Sequence, residues 1–153
     1  MTAATFTKAN DWIKNALNGT VDIDADSFKV ALSNTAPASE ASNPLSDGNG
    51  VVANVTQISY TNYTDDLTVD RVLQGITSTQ TGGVYMLDST VNFTITATGG
   101  ALAAFRYAYI FDDTSTSPAD PIIGVWDYGS ALTLADGDSA VLTFNVNGIF
   151  RIT

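Results

Sequence analysis

A chain of 153 residues has room for one domain and too few residues for two sandwiches with separate cores. Apolar residues make up 44% and charged residues only 14%, against an average of about 25%, so 21 Thr, 12 Ser and 11 Asn must supply much of the polar surface, a mixture that favours strands and turns. Six Lys and Arg against sixteen Asp and Glu give a formal charge of −10, and fifteen of the acids are Asp; this argues against a long helical bundle and opposes wrapping nucleic acid or an anionic membrane, which needs clustered bases.

The first predicted element is a helix over residues 5–18. Phe6, Ala9, Trp12, Ile13, Ala16 and Leu17 recur at helical spacing, Thr5 or Thr7 can cap the start, and Gly19 follows the end. Its apolar stripe either packs on the β core or docks on a neighbouring chain. From Ser27 the period changes to two: Phe28, Val30 and Leu32 alternate with Lys29, Ala31 and Ser33, a strand with one buried face. Residues 34–54 hold two of the four prolines and no periodicity, which predicts a long loop or arm, either a subunit contact or mobile. Weaker strands are expected around Ile58 to Tyr63 and Thr68 to Leu73, and Thr77 to Gly83 reads as irregular.

The second half is richer in strand signals. Val91, Phe93, Ile95 and Ala97 alternate with polar residues up to Gly99-Gly100, after which Ala101 to Phe111 reads as the return strand of a hairpin. Phe105, Tyr107, Tyr109 and Phe111 share one face of that strand; Leu102, Ala104, Ala108 and Ile110 share the other with Arg106. A strand apolar on both sides belongs at the centre of a sandwich, its second face under a loop, the helix or another subunit. Arg106 then needs an acidic partner, with Asp88 and Asp127 the candidates. Further strands are expected at Ile122 to Trp126, Ala131 to Leu134, Ala140 to Val146 and Ile149 to Ile152, with hairpin signals at Asp136-Gly137 and Asn147-Gly148. The whole predicts a single all-β domain over residues 1–153: an antiparallel β-sandwich, jelly-roll-like, of about nine or ten short strands with one N-terminal amphipathic helix.

Catalytic chemistry finds little to work with. Without Cys there is no thiolate nucleophile, disulfide or cysteine-bound zinc, and without His the commonest acid/base and metal ligand are missing. Asp22-Ile-Asp24-Ala-Asp26 imitates the opening of a calcium loop, but Ser27 and Ser33 stand where Gly and Glu are required. Asp112-Asp113 and Asp136-Gly-Asp138 could reach a hard cation, though Asp in turns more often caps its own backbone. The single Glu, Glu40, lies in the Pro/Ser-rich loop, a poor setting for a glycosidase pair. Phe105 to Phe111 with Trp126-Asp-Tyr128 is either core or a sugar-stacking platform. No catalytic residue, cofactor or metal is expected. The opening Met1-Thr2-Ala3-Ala4 has neither a basic nor an apolar leader region, and no stretch approaches the roughly 20 apolar residues of a membrane span, so synthesis in a cytoplasm is expected.

The string Phe-Arg-Tyr-Ala-Tyr-Ile-Phe-Asp-Asp-Thr from Phe105, followed by Pro121-Ile-Ile-Gly-Val-Trp-Asp-Tyr-Gly-Ser130, resembles small virion proteins of tailed bacteriophages, including marine and cyanobacterial phages. Phe28 to Pro37, Gly83 to Phe93 and Gly148 to Ile152 match in the same way. The resemblance implies a capsid cement (decoration) protein, less often a tail, connector or fibre-associated component. Such proteins are typically β-rich oligomers, commonly homotrimers, bound to the major capsid protein on the outer capsid surface. It brings no catalytic residues and makes contact the function. The residues expected to build the core or interface are Phe6, Trp12, Ile13, Leu17, Phe105, Arg106, Tyr107, Tyr109, Trp126, Tyr128 and Phe150. A carbohydrate-binding or adhesin module is the reading from another class.

Overall fold

The apolar run from Phe105 becomes the centre of the molecule because both of its faces can be buried. In the computed structural model, which describes residues 4–65, 71–144 and 146–153, ten strands and one α-helix form an all-β, sandwich-like fold. Strands β1 (Thr5–Lys8), β8 (Ile122–Leu132), β7 (Phe105–Asp112) and β2 (Phe28–Ser33) pair in that order as a four-stranded antiparallel sheet. Two three-stranded antiparallel sheets complete the fold. One has the order β10 (Phe150–Ile152), β5 (Val84–Ser89), β4 (Ile76–Thr81); the other has β3 (Tyr63–Asp65), β6 (Phe93–Ala97), β9 (Ser139–Leu142).

One face of the four-stranded sheet meets both smaller sheets in the main core. Phe28, Val30, Leu32, Ile110 and Ile123 pack there with Leu87 of one small sheet and Phe93 and Ile95 of the other. Side chains of this kind, removed from water, stabilise by on the order of 1.5–3 kcal/mol each. The opposite face carries a second core of Ala31, Tyr107, Tyr109, Phe111, Ile122 and Val125, roofed by Val52, Val55, Ala36 and Leu45. Residues 34–54 are therefore an ordered cover, with short 3-10 turns at Pro37–Ser39 and Val52–Asn54, packed on their own domain. Two carboxylates anchor the cover: Asp11 accepts from the Gly48 and Gly50 amides at 3.0 and 3.1 Å, and Glu40 accepts from the Thr56 amide and hydroxyl at 2.8 and 2.7 Å.

Several local expectations give way to long-range pairing. The helix is only α1 (Trp12–Leu17); Thr5–Lys8 is a strand whose Phe6 lies opposite Trp126 of β8, and neither Thr5 nor Thr7 caps the helix, whose N-cap is Asp11. The Phe6–Ala9 spacing suits a helix, but β8 offers that segment a full ladder of backbone hydrogen bonds. Gly124 makes room for it: a Cβ there would lie 2.4 Å from the Phe6 ring and 2.7 Å from the Thr7 carbonyl oxygen. Strand β2 is buried on both faces, because the cover adds a second layer that binary patterning cannot reveal.

Pairing order brings further corrections. Gly99-Gly100 is a corner between sheets, since β6 pairs with β3 and β9 while β7 pairs with β2 and β8. The Asp136-Gly137 turn leads from β8 to β9, and Asn147-Gly148 leads from β9 to β10; neither joins hydrogen-bonded neighbours. Thr77 to Gly83, read as irregular, is strand β4 and the turn of the β4–β5 hairpin, with Gly82 and Gly83 both at positive φ. Phe105 turns away from Tyr107 and Tyr109 into the main core, because the β7–β8 register shifts between Phe105 and Tyr107. The strand expected at Thr68 to Leu73 lies partly outside the described residues; within them, Val72 bridges to Lys29. Ile122 to Trp126 and Ala131 to Leu134 largely merge into the long β8.

Candidate functional site

The residues singled out from the sequence fall in several environments. Phe6, Trp12, Trp126 and Phe150 come together as one aromatic cluster. Phe6 lies 5.1 Å from Trp126 and stacks on Phe150 at 6.1 Å, while Trp12 meets Phe150 edge-on at 5.3 Å. Phe105 is buried in the main core, and Ile13 packs half-buried against it. Tyr107 and Tyr109 lie under the cover. Leu17 does not join any of these. It is 82% exposed, because the helix ends at that residue and the chain turns away through Asn18 and Gly19.

Arg106 and Tyr128, together with Phe105 and Trp126 from the core, line a groove of about 410 Å³ between the β7–β8 pair and β9, closed on its far side by Ala140 and Leu142. The groove is apolar along its floor, where Phe105, Ala108 and Leu132 face it from the four-stranded sheet. Its lip carries Val141, more than half exposed on the outer strand of its sheet.

Arg106 pairs with Asp127, the second of the two candidates, with Nε donating to Oδ1 at 2.7 Å and Nη2 to Oδ2 at 2.8 Å. Asp127 Oδ1 also accepts from the Gly129 amide at 2.7 Å. The Arg106 hydrogen bonds hold the Asp127 carboxyl below the usual carboxylate range against partial burial, and the same bonds raise the guanidinium. Of the groove's other polar groups, the Ser139 hydroxyl is bonded to that of Thr96 at 2.8 Å. The groove thus combines an apolar floor, an ion pair already closed and a strand at the end of its sheet.

The acidic turns engage their own surroundings. Asp112 accepts from the Thr114 and Ser115 amides and from the Ser115 hydroxyl, Asp113 pairs with Lys29 at 2.9 Å, and Asp136 and Asp138 accept from the Gly99 and Ala135 amides. Among the described residues no group of three or more acidic side chains is placed to hold a metal. The aromatic run of β7 forms no exposed strip, since Phe105, Tyr107, Tyr109 and Phe111 are all buried.

Sequence reasoning missed Asp11 and Glu40 as the fixings of the cover. Asp11 was hidden inside a predicted helix, and only the position of Thr56 gives Glu40 a partner. The chain matches no family model, no curated protein and no solved structure.

Proposed function

We propose that this chain is a non-enzymatic structural protein of a tailed-bacteriophage virion, a capsid cement protein that binds between major capsid subunits on the outer surface of the shell. The observation that carries the reading is the supply of open strand edges. Strands β1, β3, β4, β9 and β10 each end a sheet, with no strand paired on the outer side among the described residues. An unpaired edge offers a row of amide and carbonyl groups to a neighbouring chain, and natural domains ordinarily blunt such edges unless they are used. The exposed apolar side chains Val141, Val146 and Ile152 lie on or beside those edges.

Composition and resemblance support the same role. A chain without Cys folds in a reducing host cytoplasm, and a charge of −10 keeps copies soluble and off DNA until assembly. The strings from Phe105 and Pro121 that resemble phage virion proteins lie on β7 and β8, the two inner strands of the four-stranded sheet. In this reading the chain acts as a homotrimer, takes no cofactor, and touches neither nucleic acid nor membrane.

Copy counting by mass spectrometry of purified particles tests the proposal. Hundreds of copies per particle are expected of a cement protein; tens or fewer would move the chain to a tail, connector or fibre, and absence would end the virion reading. Light scattering at micromolar concentration should give a mass of three chains, since a stable interface buries about 1,200–2,000 Å².

A further inference from the structure

A second groove, separate from the first, lies where the end of α1 meets β5 and β10. Its walls include buried Trp12 and Val21 and half-buried Ile23 and Tyr85, and its volume is about 440 Å³. Leu17, 82% exposed, and Ile152, 40% exposed, also line it, so two of the largest exposed apolar side chains among the described residues border one cavity. Apolar surface gathered in this way and rimmed by polar groups marks a contact site.

The charges at this groove have one sign. Asp22 and Asp24 line it, both exposed, and no Lys or Arg does; Lys14 is exposed on α1 but lies outside the lining. Asp22 Oδ1 accepts from the Asp24 amide at 3.0 Å, and Asp24 Oδ1 accepts from the Ser78 hydroxyl at 3.1 Å. Those donors are neutral, so they orient the two carboxylates without cancelling them. Carboxylates beside an apolar floor favour a cation on the occupant and select against an acidic one.

We propose that this groove docks a short extended segment of another polypeptide that places apolar side chains against Val21, Ile23 and Tyr85 and a Lys or Arg against Asp22 and Asp24. A second copy of this chain is the poorer occupant, because it brings ten net negative charges and only six bases. The chemistry of the groove is the same whichever assembly the chain serves, so failure here would leave the shell reading standing, and absence from particles would leave this surface standing.

The test is an NMR titration of the isotopically labelled full chain with three short synthetic peptides. One alternates valine and lysine, one has glutamate in place of lysine, and one has serine in place of valine. The valine–lysine peptide is expected to give saturable shifts at the amides of Leu17, Val21, Ile23, Tyr85 and Ile152. The glutamate peptide should bind at least about tenfold more weakly, and the serine peptide should fail to saturate. Asp22→Asn with Asp24→Asn should weaken the valine–lysine peptide by a similar factor at unchanged melting temperature, and Leu17→Asp, a change at an exposed position, should abolish saturation. Equal binding of the lysine and glutamate peptides, shifts mapping elsewhere, or no saturable shift with any peptide would overturn the proposal. Concentration-dependent shifts of the same amides without peptide would assign the groove to a second copy and overturn it as well.

Discussion

Arg106 and Asp127 are joined by two parallel hydrogen bonds across the β7–β8 pair, yet each side chain keeps about a third of its surface in water, 36% and 34%. The geometry is that of a strong pair and the setting is that of a weak one, because solvent screens both charges. Arg106→Ala should therefore cost little stability, and less still in high salt, as measured by urea unfolding. The large loss that a buried cation would imply is not expected. A carboxyl held below its unfolded pKa of about 3.9 contributes fully above that value and loses its contribution as pH falls through the lower folded one. The stability difference between the wild type and Asp127→Asn should accordingly shrink on acidification below about pH 4.

Asp26 has the opposite sign. Partial burial raises its pKa, with the charges of Asp112 and Asp22 adding to the effect, while the hydrogen bond from the Asp22 amide opposes it. A raised carboxyl contributes most below its unfolded value, and that contribution is lost as pH rises through the folded one. Asp26→Asn, which keeps an oxygen for the Asp22 amide at 2.6 Å, should gain stability relative to the wild type between about pH 4 and pH 7. Parallel denaturation curves across that range would show it, and a constant difference would refute the assignment.

Trp126 is 7% exposed and packs against Phe6 at 5.1 Å and Phe144 at 5.7 Å. Trp126→Ala should cost about 3–5 kcal/mol in unfolding free energy, a large part of what a domain of this size possesses. An equally stable variant would contradict the burial.

Gly124 sets the approach of β1 to β8. Gly124→Ala places a methyl group against the Thr7 carbonyl, a backbone atom that cannot step aside cheaply, and a loss of about 1–3 kcal/mol is expected. Hydrogen exchange should quicken first in Thr5–Lys8, identifying β1 as the element displaced.

Tyr109 is fully buried beneath the cover, and its hydroxyl has no hydrogen-bond partner among the described residues. Burial, with the nearby charge of Glu40, pushes the phenol well above its ordinary pKa. Removing a hydroxyl that makes no bond relieves its desolvation, so Tyr109→Phe should be neutral or more stable by up to about 1 kcal/mol in thermal or urea unfolding. A marked loss would reveal a bond the hydroxyl makes.

The chain's own pattern determined what depends on near neighbours. Period-two alternation at Phe28–Leu32 and through Phe105–Phe111 identified strands, the absence of His and Cys removed whole classes of chemistry, and Asp127 stood among the two acids proposed for Arg106. Partner choice was beyond it. A strand's hydrogen bonds go to whichever edge the fold brings alongside, so Gly99-Gly100 became a corner instead of a hairpin, and Thr5–Lys8 left its helical spacing for β8. The polar strand Ile76–Thr81 escaped notice because an exposed edge strand needs little apolar alternation. Only the tertiary structure laid residues 34–54 over Tyr107 and Tyr109 and left Leu17 beside Ile152, because burial is decided by what arrives from distant parts of the chain.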